Sequence, residues 1–230
     1  MGIDTVIQTV GLTRYYGKDE TRVAALTNVD LSIDAGEFTA IVGPSGSGKS
    51  TLLHLIGGLD TPSSGRVELG GTNIAEMSGI ELSDLRRDQI GFIFQAYNLI
   101  PVLSARENIE YVMLLQGMKA AERNRRTDKM LKQLGIEELG DRRPAQMSGG
   151  QQQRVAVARA MASGPAIIFA DEPTANLDSK TGVALLDLMR KLNEEERITF
   201  VFSTHDQKIM DIARRLVHLR DGVIEKDELT

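Results

Sequence analysis

Gly43–Thr51 reads GPSGSGKST, and this nonapeptide decides the fold. It satisfies the pattern G-x-x-x-x-G-K-[ST], with Gly43, Gly48, Lys49 and Ser50 in the required places. The loop Gly43, Pro44, Ser45, Gly46, Ser47, Gly48 lets backbone N–H groups converge on phosphate oxygens, with Thr51 completing the cradle. Lys49 reaches the β- and γ-phosphates, and the Ser50 hydroxyl is placed to bind Mg²⁺. A flexible Gly/Ser turn would give the same letters. The flanks argue against that: FTAIVG reads as a short buried strand before the loop, and TLLHLIGG as an amphipathic helix after it.

Outward from the loop, the chain divides into three stretches. DTVIQTVGLTRYY and ALTNVDLSIDAGE alternate apolar and polar residues, and GRVELGGTNI adds a strand–turn–strand, so the opening third is β-rich. From Ala105 to Arg143 the spacing turns helical, with Ile109, Val112, Met113 and Gln116 three and four apart. Met113, Met118 and Met130 read as core filler, and Arg123, Arg125 and Arg126 as a solvated helix face. The last third alternates: a helix after Gln151, strand AIIFAD, a helix over Lys180–Asn193, strand ITFVFST, a helix from Gln207, then the hairpin LVHLRDGVIEKD. Strands alternating with helices predict a largely parallel sheet.

Three strand ends carry chemistry. AIIFADEP closes an apolar strand on adjacent acids: Asp171 fits the metal-side carboxylate of a P-loop enzyme, and Glu172, expected on the opposite side of the pleat, fits the general base. VFSTHD closes another on His205, and GFIFQ a third on Gln95, edges where ligands gather in open α/β sheets. His54 and His218 read as structural. A second helix start, MSGGQQQRVAVARA at Met147–Ala160, is also an anion site by its unpaired N–H groups and helix dipole. Ser148 and Gln151 have capping-box spacing, which alone gives no reason for Gly149 and Gly150, poor helix formers; they make sense if a phosphate must approach bare backbone.

Composition narrows the class. The 230 residues carry 27 basic and 32 acidic side chains, a net charge of −5, so no nucleic-acid partner is implied. Cysteine is absent, which excludes disulfides, thiolate metal sites and cysteine nucleophiles. The N-terminal stretch shows no leader pattern, and no apolar run approaches a bilayer's thickness, so any membrane span must come from another chain.

GPSGSGKST, GFIFQ, MSGGQQQR, IIFADEP, NLDS and STHD, in that order, resemble the ATP-binding subunit of an ABC transporter along essentially the whole chain. The resemblance implies a single ABC nucleotide-binding domain over residues 1–230: an α/β P-loop NTPase core of mainly parallel sheet, an antiparallel β subdomain, and an inserted helical subdomain at about 102–146 that grips a membrane permease. It implies ATP and Mg²⁺ as cofactors, ATP hydrolysis as the activity, and an ATP-dependent head-to-tail homodimer. Gln95 matches the glutamine that touches Mg²⁺ or the attacking water. Ser148, Gly149, Gly150 and Gln151 match the signature that binds ATP held by the opposite subunit, and Asp178 the aspartate that reaches across the dimer. His205 matches the switch histidine. Tyr16 fits the aromatic under adenine, with Tyr15 as fallback. Met147 stands where the family usually has leucine.

GGLDTPSSG and RRDQIGFIFQAYNLIPVLSARENI are most similar to the lipoprotein-release and macrolide-exporter ATPases and their cell-division and peptide-resistance relatives. The implied place of work is the cytoplasmic face of the inner membrane, peripheral through the permease. A non-transport ATPase controlling a cell-wall enzyme, an importer subunit and a soluble DNA-repair or translation ATPase remain alternatives; the cargo is not encoded in this chain.

Overall fold

The structure, a computed structural model, describes residues 4–230. Residues 1–3 lie outside the described residues, and with them the start of the stretch read for a leader and of the expected domain. In chain order the elements are β1 (Thr5–Tyr16), β2 (Val23–Asp34), β3 (Phe38–Val42), α1 (Lys49–Ile56), β4 (Ser64–Leu69), β5 (Thr72–Asn73), α2 (Gly79–Gln89) and β6 (Ile90–Ile93). They continue as α3 (Ala105–Leu115), α4 (Ala120–Gln133), α5 (Gly149–Ala162), β7 (Ile167–Asp171), α6 (Ser179–Glu196), β8 (Thr199–Thr204), α7 (Gln207–Met210), β9 (Arg215–Arg220) and β10 (Val223–Leu229).

Two sheets result. A four-stranded antiparallel sheet has the order β2-β1-β4-β5, and a six-stranded sheet the order β10-β9-β3-β8-β7-β6. In the second, β9, β3, β8, β7 and β6 run parallel and only β10 is antiparallel. Every residue of β3 and β8 is buried, as expected of parallel strands covered on both faces. Phe38, Phe200 and Phe202 point to one face, where they pack with residues of α3, α5 and α6. Ile41, Val201 and Val217 point to the other, against Leu52, Leu53 and Ile56 of α1 and the antiparallel sheet. Helix α1 is thereby clamped between the two sheets, and its N-terminus cannot drift.

The middle third is helical but short-jointed: α3 and α4 are followed by single 3-10 turns at Glu137–Leu139 and Pro144–Gln146. Met113 and Met130 are buried there, and Met118 packs against the same cluster. Arg125 is exposed, but Arg123 is not simply solvated, since its guanidinium donates to the Met118 carbonyl. Helix α2 is an element the periodicity does not announce. No residue of it is fully buried, and a Ser78–Glu81 capping box starts it. Among the described residues, no helix is long and apolar enough to cross a membrane.

Candidate active site

The parallel strands bring four C-terminal ends to one edge of the sheet. The Gly43–Thr51 loop follows β3, Gln95 follows β6, Asp171 and Glu172 close β7, and Thr204 and His205 close β8. Between them lies a cleft of about 630 Å³ lined by Pro44, Ser45, Gly46, Gly48, Lys49, Ser50, Thr51, Gln95, Glu172 and His205, with Tyr16 and Ala25 from the antiparallel sheet.

Gly43 and Ser47, read from sequence as part of the cradle, do not line this cleft. A Cβ at Gly43 would lie 2.0 Å from the Leu219 carbonyl of β9, so its glycine is required by the strand behind it. Ser47 is 2% exposed, and its carbonyl accepts a hydrogen bond from Gly222 in the β9–β10 turn. The back of the loop is therefore buttressed by a hairpin about 175 residues away in sequence, which no local motif signals. Gly46 faces open space at φ +80°, and Gly48 caps α1 at φ +102° with no side chain bonded to the helix start. The Lys49 ammonium is buried and donates to the Gly43 and Pro44 carbonyls at 2.8 and 2.9 Å.

The two acids part company, though not by the pleat. Asp171 ends β7, and its Oδ1 accepts from the Ser50 hydroxyl at 2.9 Å. Glu172 has already left the strand, with φ 46°. Left-handed backbone at a non-glycine costs on the order of 1–3 kcal/mol and needs surroundings that impose it. Here the Glu172 N–H donates to the Ser203 carbonyl at 2.9 Å, the Thr204 hydroxyl donates to Glu172 Oε2 at 3.2 Å, and His205 Nδ1 lies 2.6 Å from Oε1. The Glu172 side chain is 14% exposed, against 71% for His205. Asp206, one residue on, caps α7 and accepts from Thr174 at 2.8 Å, which ties the end of β8 to the loop after β7. The sequence carried no sign of Thr174 or Thr204.

The second helix start opens elsewhere. Ser148, Gly149, Gly150, Gln151 and Asp178 line a separate cleft of about 460 Å³, bordered by Arg154, Asn176 and Thr181, and it shares no residue with the first. The capping box is formed: Gln151 N–H donates to Ser148 Oγ at 3.4 Å, and Ser148 N–H donates to Gln151 Oε1 at 2.9 Å. Asp178 caps α6, accepting from the N–H groups of Lys180 and Thr181 and from the Thr181 hydroxyl. Those donors, the Thr181 hydroxyl foremost, hold its carboxyl below the ordinary range. The two glycines have intramolecular reasons that the sequence reading did not supply. A Cβ at Gly149 would lie 2.7 Å from Tyr97 Oη, and one at Gly150 2.5 Å from the Thr181 methyl.

Tyr16 and Tyr15 are separated by their surroundings. Tyr16 borders the cradle cleft, its hydroxyl donating to Asp60 Oδ2 at 2.7 Å and the Arg14 guanidinium 4.7 Å from its ring centre. Tyr15 does not line the cleft, and the Arg22 guanidinium sits 3.7 Å over its ring. Met147 is buried in the main core, where an apolar side chain of leucine's size is required. His218 pairs with Glu228 Oε1 at 3.0 Å, outside both clefts.

Residues 26–175 match the model of the ABC transporter family, well over half of the chain. The chain belongs to that family. The matched segment holds the cradle, Gln95, Ser148–Gln151, Asp171 and Glu172, while Tyr16, Asp178 and His205 fall outside it. Whole-length relatives cover those. An uncharacterized ABC transporter ATP-binding protein of Methanocaldococcus jannaschii, MJ0796, is 46% identical over 227 residues, 97% of each chain. The macrolide export ATP-binding/permease protein MacB of Marinobacter nauticus is 45% identical over 222 residues, 96% of this chain and 34% of MacB. The chain thus spans about a third of the MacB relatives' length. Among solved structures, the dimeric MJ0796 cassette in a post-hydrolysis state with ADP and Pi aligns with a TM-score of 0.91 and 44% identity, covering 97% of this chain and 98% of that one. The protein is an ATP-binding, ATP-hydrolysing cassette of the ABC type, with the ABC ATPase fold.

Proposed function

We propose that this cassette powers a separate membrane permease by closing as a head-to-tail homodimer around two ATP molecules. The observation that carries this reading is the separation of the clefts. One chain presents a cradle at the start of α1 and a second phosphate-seeking turn at the start of α5, in pockets with no shared lining. Two-fold pairing sets each cradle against the other copy's Ser148–Gln151 turn, so ATP becomes part of the interface. The dimeric MJ0796 structures, at 44% and 45% identity, support such a pairing.

Within each site Lys49 exchanges its loop carbonyls for phosphate oxygens, and the cradle N–H groups offset charge on the leaving diphosphate. Glu172 polarises the attacking water, His205 holds the Glu172 carboxylate and faces the γ-phosphate, and Gln95 senses the same water. Tyr16 stacks under adenine, and Asp178 reaches across the dimer. The Ser50 hydroxyl and Asp171 carboxylate, 2.9 Å apart, are hard oxygen donors of the kind Mg²⁺ takes, and with Gln95 they would hold it. When bound, Mg²⁺ neutralises charge on the β- and γ-phosphates. The helical stretch at about 102–146 would seat the permease, with the cassette working at the cytoplasmic face of the inner membrane. The kinship with MacB, a macrolide export ATP-binding/permease protein, favours an exporter or extrusion complex.

Glu172→Gln is expected to bind ATP, form a stable dimer and lose nearly all turnover. Sedimentation with and without ATP, beside a steady-state assay, checks this; undiminished hydrolysis or a strict monomer would sink the reading.

A further inference from the structure

Tyr97 and Asn98 lie two and three residues beyond Gln95, and both are left-handed, with φ of 59° and 49°. Two consecutive non-glycine residues in that region are strained unless something holds them. Arg159 of α5 does: its guanidinium donates to the Tyr97 carbonyl at 2.9 Å and to the Asn98 carbonyl. Its fork meets the two carbonyls through two separate nitrogens held in fixed geometry. Burial lowers the Arg159 pKa from its ordinary value, and among the described residues it makes no ion pair. This cation is placed to hold main chain, not to balance charge.

The loop so held sets Tyr97 Oη against the first turn of the same helix α5, at the spot a Gly149 Cβ would occupy. Asn176 closes the triangle. Its Nδ2 donates to the Gln95 carbonyl at 2.8 Å, and its own carbonyl lies 3.6 Å from the same Cβ position. Gln95 borders the cradle cleft, whereas Gly149 and Asn176 border the second cleft. The Tyr97 contact is therefore a physical bridge between two pockets that share no lining.

We propose that Arg159 and Tyr97 are positioning residues that tie Gln95, serving a subunit's own ATP, to the Ser148–Gln151 turn that the subunit lends to its partner. A change at one half-site then shifts the other half-site of the same chain. The inference rests on the composite-site reading above. It also gives Gly149 a second reason to be glycine: the Tyr97 hydroxyl occupies the space of its side chain.

The test uses the full chain and MgATP, with Arg159→Lys, Gly149→Ala, Tyr97→Phe and the double variant Gly149→Ala/Tyr97→Phe. Arg159→Lys keeps the charge but replaces two donor nitrogens in a fixed fork with a single ammonium of shorter reach. It is expected to keep KM for ATP while kcat falls about 10- to 100-fold, the scale of misplaced catalytic groups. Gly149→Ala is expected to lose hydrolysis to a similar degree. Tyr97→Phe should restore much of that loss, because the next atom, Tyr97 Cζ, stands 3.7 Å from the added methyl. Thermal melts of each variant separate misplacement from unfolding. A wild-type kcat in Arg159→Lys, or a loss matched by loss of folded protein, overturns the strap. A double variant no better than Gly149→Ala alone overturns the Tyr97 bridge. Failure of Glu172→Gln to dimerise with ATP would remove the composite site instead, and the rescue of hydrolysis tells the two failures apart.

Discussion

The two helix starts that seek phosphate are built differently. Helix α1 begins at a left-handed Gly48 with no side-chain cap, its Lys49 held only by carbonyls of its own loop. Helix α5 begins with a complete capping box and two glycines packed against Tyr97 and Thr181. The first start keeps its N–H groups open and is clamped between two sheets, which suits a site that binds nucleotide by itself. The second already satisfies itself through Ser148 and Gln151, so a phosphate must compete with that cap. Under the composite-site proposal, a site of that kind engages after the first is filled, when a partner presents ATP.

Breaking the open start should have the largest effect. Lys49→Ala removes the ammonium proposed to meet the β- and γ-phosphates, and hydrolysis is expected to fall by at least the ~10²–10³ that follows loss of one oxyanion donor. ATP titration of the variant checks it. Next, Ser148→Asp should sharpen the contrast, since aspartate caps a helix as well as serine does. The melting temperature should hold while ATP-dependent dimerisation is lost, because a carboxylate then faces the incoming phosphate. Ser148→Ala is milder toward phosphate but, unlike Ser148→Asp, lowers stability: loss of the cap costs about 1 kcal/mol, seen as a lower urea midpoint. Retained dimerisation in Ser148→Asp would show that the second start never meets phosphate.

The smallest expected effect concerns Asp178, beside the second start. Its carboxyl is held below the ordinary value of 3.8 by Thr181 and Lys180. A depressed folded pKa contributes stability that is present above the unfolded value and is lost as pH falls from there through the folded one. Asp178→Asn should therefore flatten the acid limb of stability below about pH 4, by lowering stability slightly at neutral pH, where the carboxylate contributes, and leaving the acid side nearly unchanged. The group is exposed, so the change in an acid titration followed by circular dichroism will be slight.

Much of this was legible before any coordinates. Alternation in the last third foretold the parallel sheet, and GPSGSGKST at the end of a buried strand foretold the cleft. Helix α2 was not legible, because Ile80 is exposed and Leu82 and Leu85 are only partly buried, too weak an apolar stripe to show a period. Gly43 and Ser47 were assigned to the cradle because the motif is contiguous, yet their packing partners are Leu219 and Gly222 on a distant hairpin. The pleat rule does not reach Glu172, since the strand ends at Asp171 and the next residue is left-handed.

By itself the sequence singled out the candidates for chemistry: a lysine and serine after a glycine loop, paired acids after an apolar strand, and a second glycine-led helix. These follow from local spacing, and spacing is what a chain writes directly. Tertiary structure alone decided that the two helix starts open into different clefts, that Tyr16 rather than Tyr15 borders the cradle, and that Arg159 reaches back 61 residues to hold the Gln95 segment. Each of these depends on elements far apart in sequence becoming neighbours through burial of a shared core. No local pattern encodes which surfaces those neighbours will present to one another.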